Sequence, residues 1–227
     1  MTGPGRALRA HVVPFAAFMG FLGLVSLVAT VGEGSGVFWL TEPAYWIYPL
    51  QTMVCAGLLV FYWKCFDWGR LQWWPAVGAG LLVFAIWVAP QTALGFPART
   101  AGFDPGVFDG DPPLYWLTVV ARLMRLVVVV PLVEEIFWRG FLMRYLIKED
   151  FEKVPFGTWS PLSFFGVAGA FMFVHSPADW PAAFVTGLLF GWVCVKTRSL
   201  LAAVIAHAVA NAALGAYILS TKQWGFW

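Results

Sequence analysis

Charged residues are scarce in this chain. Only 11% of its 227 residues are Asp, Glu, Lys or Arg, whereas 60% are hydrophobic and 18% are aromatic. A soluble domain of this size could not cover so much apolar surface. The net charge of +2, spread over scattered basic residues, gives no sign of a nucleic-acid partner. The composition therefore predicts an integral membrane protein surrounded by a lipid bilayer.

Cysteine is also scarce, and so are the usual metal-binding spacings. Cys55, Cys65 and Cys194 lie far apart and form no CxxC pair. We expect them to act as small apolar side chains. The HExxH signature of zinc proteases is absent as well.

Long uncharged runs are plentiful. Three of them, at residues 12–31, 44–63 and 73–94, each have about the 20 residues needed to cross a bilayer. Further apolar segments lie at 114–147, 162–174, 182–195 and 200–219. The first run is too long for a typical signal peptide, so we expect a retained span. The sequence predicts one all-α domain over residues 1–227, a polytopic membrane protein with about 7–8 transmembrane helices around a polar cavity.

The loops differ in charge, which predicts an orientation. If seven crossings are counted, the basic pairs Arg6 and Arg9, Lys64 and Arg70, Lys148 and Lys153, and Lys196 and Arg198 share one side. The loops with Glu33, Glu42, Asp104, Asp109 and Asp111 fall on the other side. By the positive-inside rule, the N-terminus is predicted to be cytoplasmic and the C-terminal tail outside.

Six polar residues interrupt the apolar second half. A charge within a membrane costs about 2.5–3.5 kcal/mol on insertion scales, so each such residue is by default a candidate for a functional site. Their spacings are EExxxR, FxxxH and HxxxN. The residues are Glu134, Glu135, Arg139, His175, His207 and Asn211.

The two adjacent glutamates are expected to have different roles. Glu135 precedes Arg139 by four residues, the favoured order for a helical ion pair. Glu134 points about 100° away, so we expect it to face a cavity, where a partly desolvated carboxylate is a stronger base for water. Pro131 predicts a kink or a new helix just before them. The alternative is that nearby arginines simply neutralise both carboxylates.

The later motifs would add aromatic and hydrogen-bonding groups. Phe171 lies one turn before His175 and would wall the site with a ring, although a histidine at a helix end is often only an interfacial side chain. His207 and Asn211 share a helix face. Two donors aimed at one point suit a developing oxyanion, but the same residues also link membrane helices without a catalytic role.

Depth supports a common site. At about 1.5 Å per residue, Glu134 and His175 each lie about 20 Å from the predicted cytoplasmic ends of their helices, and the HxxxN pair lies about 12–18 Å from its own. The three helices are therefore predicted to place their polar groups in one band of the membrane.

EEIFWR, FMFVH and HAVAN, at residues 134–139, 171–175 and 207–211, resemble in this order the three motifs of the CAAX protease and bacteriocin-processing family. Its members include the Rce1-type prenyl-protein endopeptidases, which are intramembrane glutamate proteases. The resemblance covers residues 114–220, the protease-like core, and leaves 1–113 as N-terminal spans. It implies an endopeptidase in which Glu134 with His175 activates a water. It further implies that His207 and Asn211 bind the oxyanion and that Glu135 and Arg139, with Phe171, support the site.

The C-terminal part, from residue 197 to the closing QWGFW, also resembles a bacterial subgroup called CAAX prenyl protease-related. These proteins occur alongside exosortase protein-sorting systems. This implies a multi-pass protein of the bacterial inner membrane, with an exosortase-type system as partner. The expected substrate is a membrane-associated polypeptide, because a site at this depth admits only chains that enter laterally or as extended strands. Bacteria generally lack CAAX prenylation, so the family name does not give the substrate.

Other functions stay open at the level of sequence. No cofactor is expected. Zinc would require Glu134 and Glu135 to turn the same way, which helical geometry opposes, so we predict metal-independent hydrolysis. The same polar cluster could bind a ligand without turnover, in a scaffold or a bacteriocin-immunity protein. It could also relay protons in a transporter, although the two halves show no clear internal repeat.

Overall fold

The computed structural model describes residues 4–227, and within them the chain forms helices, turns and loops but no strand. Residues 1–3 of the predicted domain lie outside the described residues. The long helices are α1 (Pro4–Gly32), α2 (Ala44–Tyr62), α3 (Trp73–Ala93), α4 (Pro112–Tyr145), α5 (Pro161–Phe173), α6 (Trp180–Thr197) and α7 (Leu200–Thr221). Short helical turns occupy Phe38–Thr41, Trp63–Cys65, Pro105–Phe108, Phe151–Lys153, Pro177–Asp179 and Trp224–Phe226. The all-α prediction is confirmed.

Six of these helices are long and apolar enough to cross a membrane. The exception is α5, whose 13 residues extend only about 20 Å, less than the roughly 30 Å of a bilayer core. The number of long spans is thus slightly below the predicted seven to eight. Large apolar side chains cover the outside, for example Val60, Phe173 and Leu27, which are 73%, 65% and 61% exposed. The protein is a multi-pass membrane protein.

Local sequence fixes several helix ends. The Ser160 hydroxyl accepts a bond from the Ser163 amide at 3.2 Å and so caps α5. Ser199 caps α7 in the same way, with its hydroxyl 3.1 Å from the Ala202 amide. Arg198, between α6 and α7, has a left-handed backbone with φ of 51°. α1 begins well before the predicted run because that run excluded charged residues, whereas Arg9 lies within the helix.

α4 contains two π-helical stretches, Arg125–Val129 and Ile136–Leu142, on either side of the glutamate pair. The helix runs through Pro131 without ending, so of the two expected alternatives the structure has a continuous helix and not a new start. The Val130 amide bonds to the Arg125 carbonyl, five residues back, which widens the turn before the proline. Pro131 has no N–H to continue this pattern, so the carbonyl of Leu126 needs another donor.

Small residues allow the helices around α4 to approach closely. A Cβ atom on Gly80 of α3 would lie 2.5 Å from the Ala206 carbonyl oxygen of α7. A Cβ atom on Gly187 of α6 would lie 2.8 Å from the Cα of Ala168 in α5. Close packing at glycine is common between membrane helices. It brings α5, α6 and α7 around the polar middle of α4.

Candidate active site

A cavity of about 240 Å³ lies between α3, α4, α5, α6 and α7. Glu134, His175, His207 and Asn211 all line it, and so does Phe171. Three motifs that are far apart in the chain therefore meet at one place. At about 30 Å³ per water, the cavity has room for about eight waters, or for a peptide group and its attacking water.

Glu134 is the carboxylate that faces this space. It is 9% exposed, and its Oε2 is buried without a hydrogen-bond partner among the described residues. Two nearby arginines are engaged elsewhere: Arg125 Nε donates to Gln51 Oε1 at 2.7 Å, and Arg139 pairs with Glu135. Nearby arginines therefore do not pair with both glutamates, as the alternative expectation from the sequence required. This leaves Glu134 able to accept a proton.

Glu135 is fully buried, does not line the cavity, and connects α4 to α7. Its Oε1 accepts a bond from Arg139 Nη1 at 2.9 Å and another from His207 Nδ1 at 2.9 Å. Arg139 Nη2 donates to the carbonyl of Gly187 at 3.1 Å. A carboxylate can only accept, so His207 must donate through Nδ1. The Nε2 atom of His207 is then the nitrogen left for a ligand.

Two phenylalanines enclose these charges. The Arg139 guanidinium carbon lies 5.2 Å from the ring centre of Phe171 and 5.6 Å from that of Phe190. Phe171 also contacts the His175 ring at 4.7 Å, and Phe190 stacks on His207 at 5.0 Å. Such contacts attract cations electrostatically. Phe190 was missed at the level of sequence because it is one of many aromatic residues in an apolar helix.

His175 lies just beyond the end of α5, immediately before Ser176 and Pro177. Its Nδ1 is 2.8 Å from the Phe171 carbonyl, which can only accept, so Nε2 is again the free nitrogen. The Trp180 indole donates to the His175 carbonyl at 3.1 Å. The histidine is therefore held in place on both its ring and its backbone.

Asn211 supplies the donor that the interrupted π-helix needs. Its Nδ2 lies 2.8 Å from the carbonyl oxygen of Leu126, the group that Pro131 cannot reach with an N–H. The HxxxN spacing alone did not predict this bond. Because an amide nitrogen carries two hydrogens, one N–H of Asn211 remains for the cavity.

One end of the cavity, its mouth, is bordered by Arg99 and Asp179, which the motifs did not include. Arg99, in the loop after α3, pairs with Asp179 at 2.6 Å and lies 4.7 Å from the ring centre of Phe226. The Gly225 amide donates to the Arg99 carbonyl at 2.9 Å. Arg99 is the single basic residue in an otherwise acidic loop, a signal that could have indicated a partner across the mouth.

No group of three or more His, Cys, Asp or Glu side chains within residues 4–227 is arranged to hold a metal ion. Glu135 is already bonded to Arg139 and His207 and does not line the cavity. The predicted absence of metal from the reaction stays a prediction.

Residues 115–213, just under half of the chain, match the family model described as type II CAAX prenyl endopeptidase, Rce1-like. Over these residues the chain is similar to the CAAX protease family. No curated protein and no solved structure gives a significant match. This similarity to the Rce1-like family supports peptidase activity within the membrane in general terms. It does not favour the scaffold, immunity or transport alternatives.

Proposed function

We propose that this Rce1-like protein is an intramembrane glutamate endopeptidase that hydrolyses a peptide bond of a membrane-associated polypeptide. The observation that carries the proposal is the unpaired, enclosed Oε2 of Glu134 in a cavity shared with His175, His207 and Asn211. The proposal adds a mechanism and residue roles to the general activity that the family supports.

In the proposed reaction, Glu134, assisted by His175, takes a proton from a water molecule whose oxygen attacks the carbonyl carbon of the substrate. The oxygen of that carbonyl becomes negatively charged. His207 Nε2 and the second N–H of Asn211 donate to it. Because Nδ1 already donates to Glu135, donation from Nε2 requires the imidazolium form, which alone carries a hydrogen on both nitrogens. When the C–N bond breaks, the proton held by Glu134 passes to the leaving amine.

The size and position of the cavity suggest how a substrate binds. About 240 Å³ admits a peptide bond and its immediate neighbours but not a folded domain. An extended segment that enters from the membrane or through the mouth at Arg99 and Asp179 fits this space. We propose the inner membrane of a bacterium as the location. The exosortase-type partner rests on the weaker C-terminal resemblance and stays a prediction.

The direct test compares purified wild-type protein with Glu134→Ala on a library of membrane-derived peptides. Removal of a general base costs about 10²-fold or more in rate, so wild-type products should be absent or nearly absent with the variant. Glu152→Ala is a matched control, because this glutamate is exposed in a loop. Equal cleavage by wild type and Glu134→Ala would contradict the assignment of Glu134.

A chelator tests the metal-independent mechanism. Dialysis of the active protein against a strong zinc chelator is expected to leave the rate of peptide cleavage unchanged. A glutamate base acts on water directly and needs no Lewis acid. Loss of cleavage that added zinc restores would contradict this mechanism and would reopen a role for the glutamates as metal ligands.

A further inference from the structure

A second cavity, of about 180 Å³, lies away from Glu134, between α2, the loop after α3 and the first half of α4. Tyr48, Phe103 and Arg122 line it together with apolar side chains. None of the candidate active-site residues borders it. Arg122 is the one charged residue in this lining, whose other polar groups are the hydroxyls of Tyr45, Tyr48 and Thr118.

Arg122 is buried without a compensating charge. It is 5% exposed, and its Nε and Nη1 atoms have no hydrogen-bond partner. Within residues 4–227, no carboxylate oxygen lies within 4.0 Å of this guanidinium. The ring centres of Tyr48 and Phe103 lie 4.6 Å and 4.7 Å from its central carbon. Aromatic faces attract a cation but neither neutralise it nor accept its N–H groups in the plane.

The other buried arginines of α4 have side-chain partners that Arg122 lacks, although Arg139 Nε is also without a partner. Arg125 bonds to Gln51, and Arg139 bonds to Glu135 and to a carbonyl. Arg122 also lies three residues before Arg125, on the neighbouring turn, where like charges repel. A buried, unpaired charge is costly unless a partner is supplied. An anion in the adjacent cavity would be that partner.

The surface beside the cavity is strongly apolar. Trp116, Leu117 and Val120 of α4 are 60%, 64% and 54% exposed, which in a membrane protein means contact with lipid chains. The cavity has space for about six waters at roughly 30 Å³ each. That is enough for one acidic group and a few carbons, but not for a whole lipid.

We propose that this cavity binds the phosphate or carboxylate group of an anionic amphiphile, with Arg122 as its counter-ion. The guanidinium presents several N–H groups to an acidic oxygen, while the acyl chain continues along the exposed face at Leu117. A membrane lipid and a free anion share this chemistry. The apolar surroundings favour the lipid, and the experiment separates the two sources.

The experiment measures thermal unfolding of the full-length protein in detergent with three probes. These are short-chain phosphatidylglycerol, the zwitterionic phosphatidylcholine of equal chain length, and inorganic phosphate. Phosphatidylglycerol is expected to raise the Tm with saturation, and phosphatidylcholine is expected to do so much less. A response to inorganic phosphate equal to that to phosphatidylglycerol would overturn the lipid as the source. Equal responses to both lipids would overturn the requirement for net negative charge.

Three variants connect the effect to the cavity. Arg122→Gln is expected to weaken phosphatidylglycerol binding about tenfold or more, because it removes the charge. Ala121→Phe keeps the arginine but fills the cavity, so it is expected to cause the same loss of phosphatidylglycerol binding. This variant tests the proposal even if Arg122→Gln does not fold. Arg70→Gln, at an exposed loop arginine, is the control for general attraction and should bind as the wild type does. Unchanged binding in both cavity variants would overturn the proposal.

Discussion

At the scale of single residues, the two histidines of the site are oriented in the same way by different acceptors. His175 donates through Nδ1 to a backbone carbonyl, and His207 donates through Nδ1 to Glu135. Each imidazole is left with Nε2 for a ligand. The acceptors differ in charge. A neutral carbonyl orients the ring of His175, whereas a carboxylate orients the ring of His207.

Glu135→Gln tests this arrangement. The substitution leaves Arg139 buried without its counter-ion, so it is expected to destabilise the protein by about 3–5 kcal/mol, as for other broken buried pairs. Cleavage is also expected to fall, because His207 loses the carboxylate that orients its ring. Thermal unfolding and cleavage at a temperature where the variant is folded measure the two effects. Glu149→Gln, at an exposed loop position, is the control. Wild-type stability in Glu135→Gln would contradict the structural role.

At the scale of secondary-structure elements, α4 is continuous but irregular. It continues through Pro131, yet it departs from α-helical geometry on both sides of the glutamates. The wider turn leaves the Leu126 carbonyl free, and Asn211 of α7 bonds to it. The irregular turn of α4 thus allows a hydrogen bond between α4 and α7, which both line the cavity.

A double-mutant cycle tests this contact. Asn211→Ala leaves the Leu126 carbonyl unsatisfied, and we expect a loss of about 1–3 kcal/mol of unfolding free energy. Pro131→Ala restores an N–H that can bond to the same carbonyl. The Asn211→Ala change should therefore cost about 1 kcal/mol less in the Pro131→Ala background than in the wild type. Additive effects on unfolding free energy would mean that the two residues do not share this carbonyl.

At the scale of the whole molecule, the six long helices together with the short α5, if all seven alternate in direction, would place the two termini on opposite sides of the membrane. The basic loops would be cytoplasmic, and the mouth at Arg99 and Asp179 would face outside, on the same side as the C-terminal tail. Because α5 is short, the turn that carries His175 would lie below the membrane surface. The cavity would then open outward from within the bilayer.

Reporter fusions test this orientation. Bacterial alkaline phosphatase needs an oxidising compartment for its disulfides, so it reports an external position. Fusion after Trp227 is expected to be active, and insertion between residues 148 and 153 is expected to be inactive. Insertion in the loop at residues 109–111 serves as a second external position. Activity only at residues 148–153 would reverse the predicted orientation.

The amino-acid sequence by itself determined the helical, membrane-spanning character of the chain and the ends of most helices. These properties depend on composition, run length and local capping, all of which act over a few neighbouring residues. The Glu135–Arg139 pair was predictable for the same reason, since both residues lie on one helix. The i, i+4 relation between His207 and Asn211 was equally local.

Only the tertiary structure decided which groups these side chains meet. Three contacts of the site join residues more than 70 positions apart in the chain. They are the bond from His207 to Glu135, the bond from Asn211 to Leu126 and the ion pair of Arg99 with Asp179 at the mouth. The lack of a hydrogen-bond partner for Nε and Nη1 of Arg122 also depends on how the helices pack. In the sequence it is an arginine of the same apolar helix as Arg125 and Arg139, which do have side-chain partners. Helical periodicity gives the face on which a side chain lies. The neighbour on that face depends on how the helices pack, because partners in space can lie at any separation along the chain.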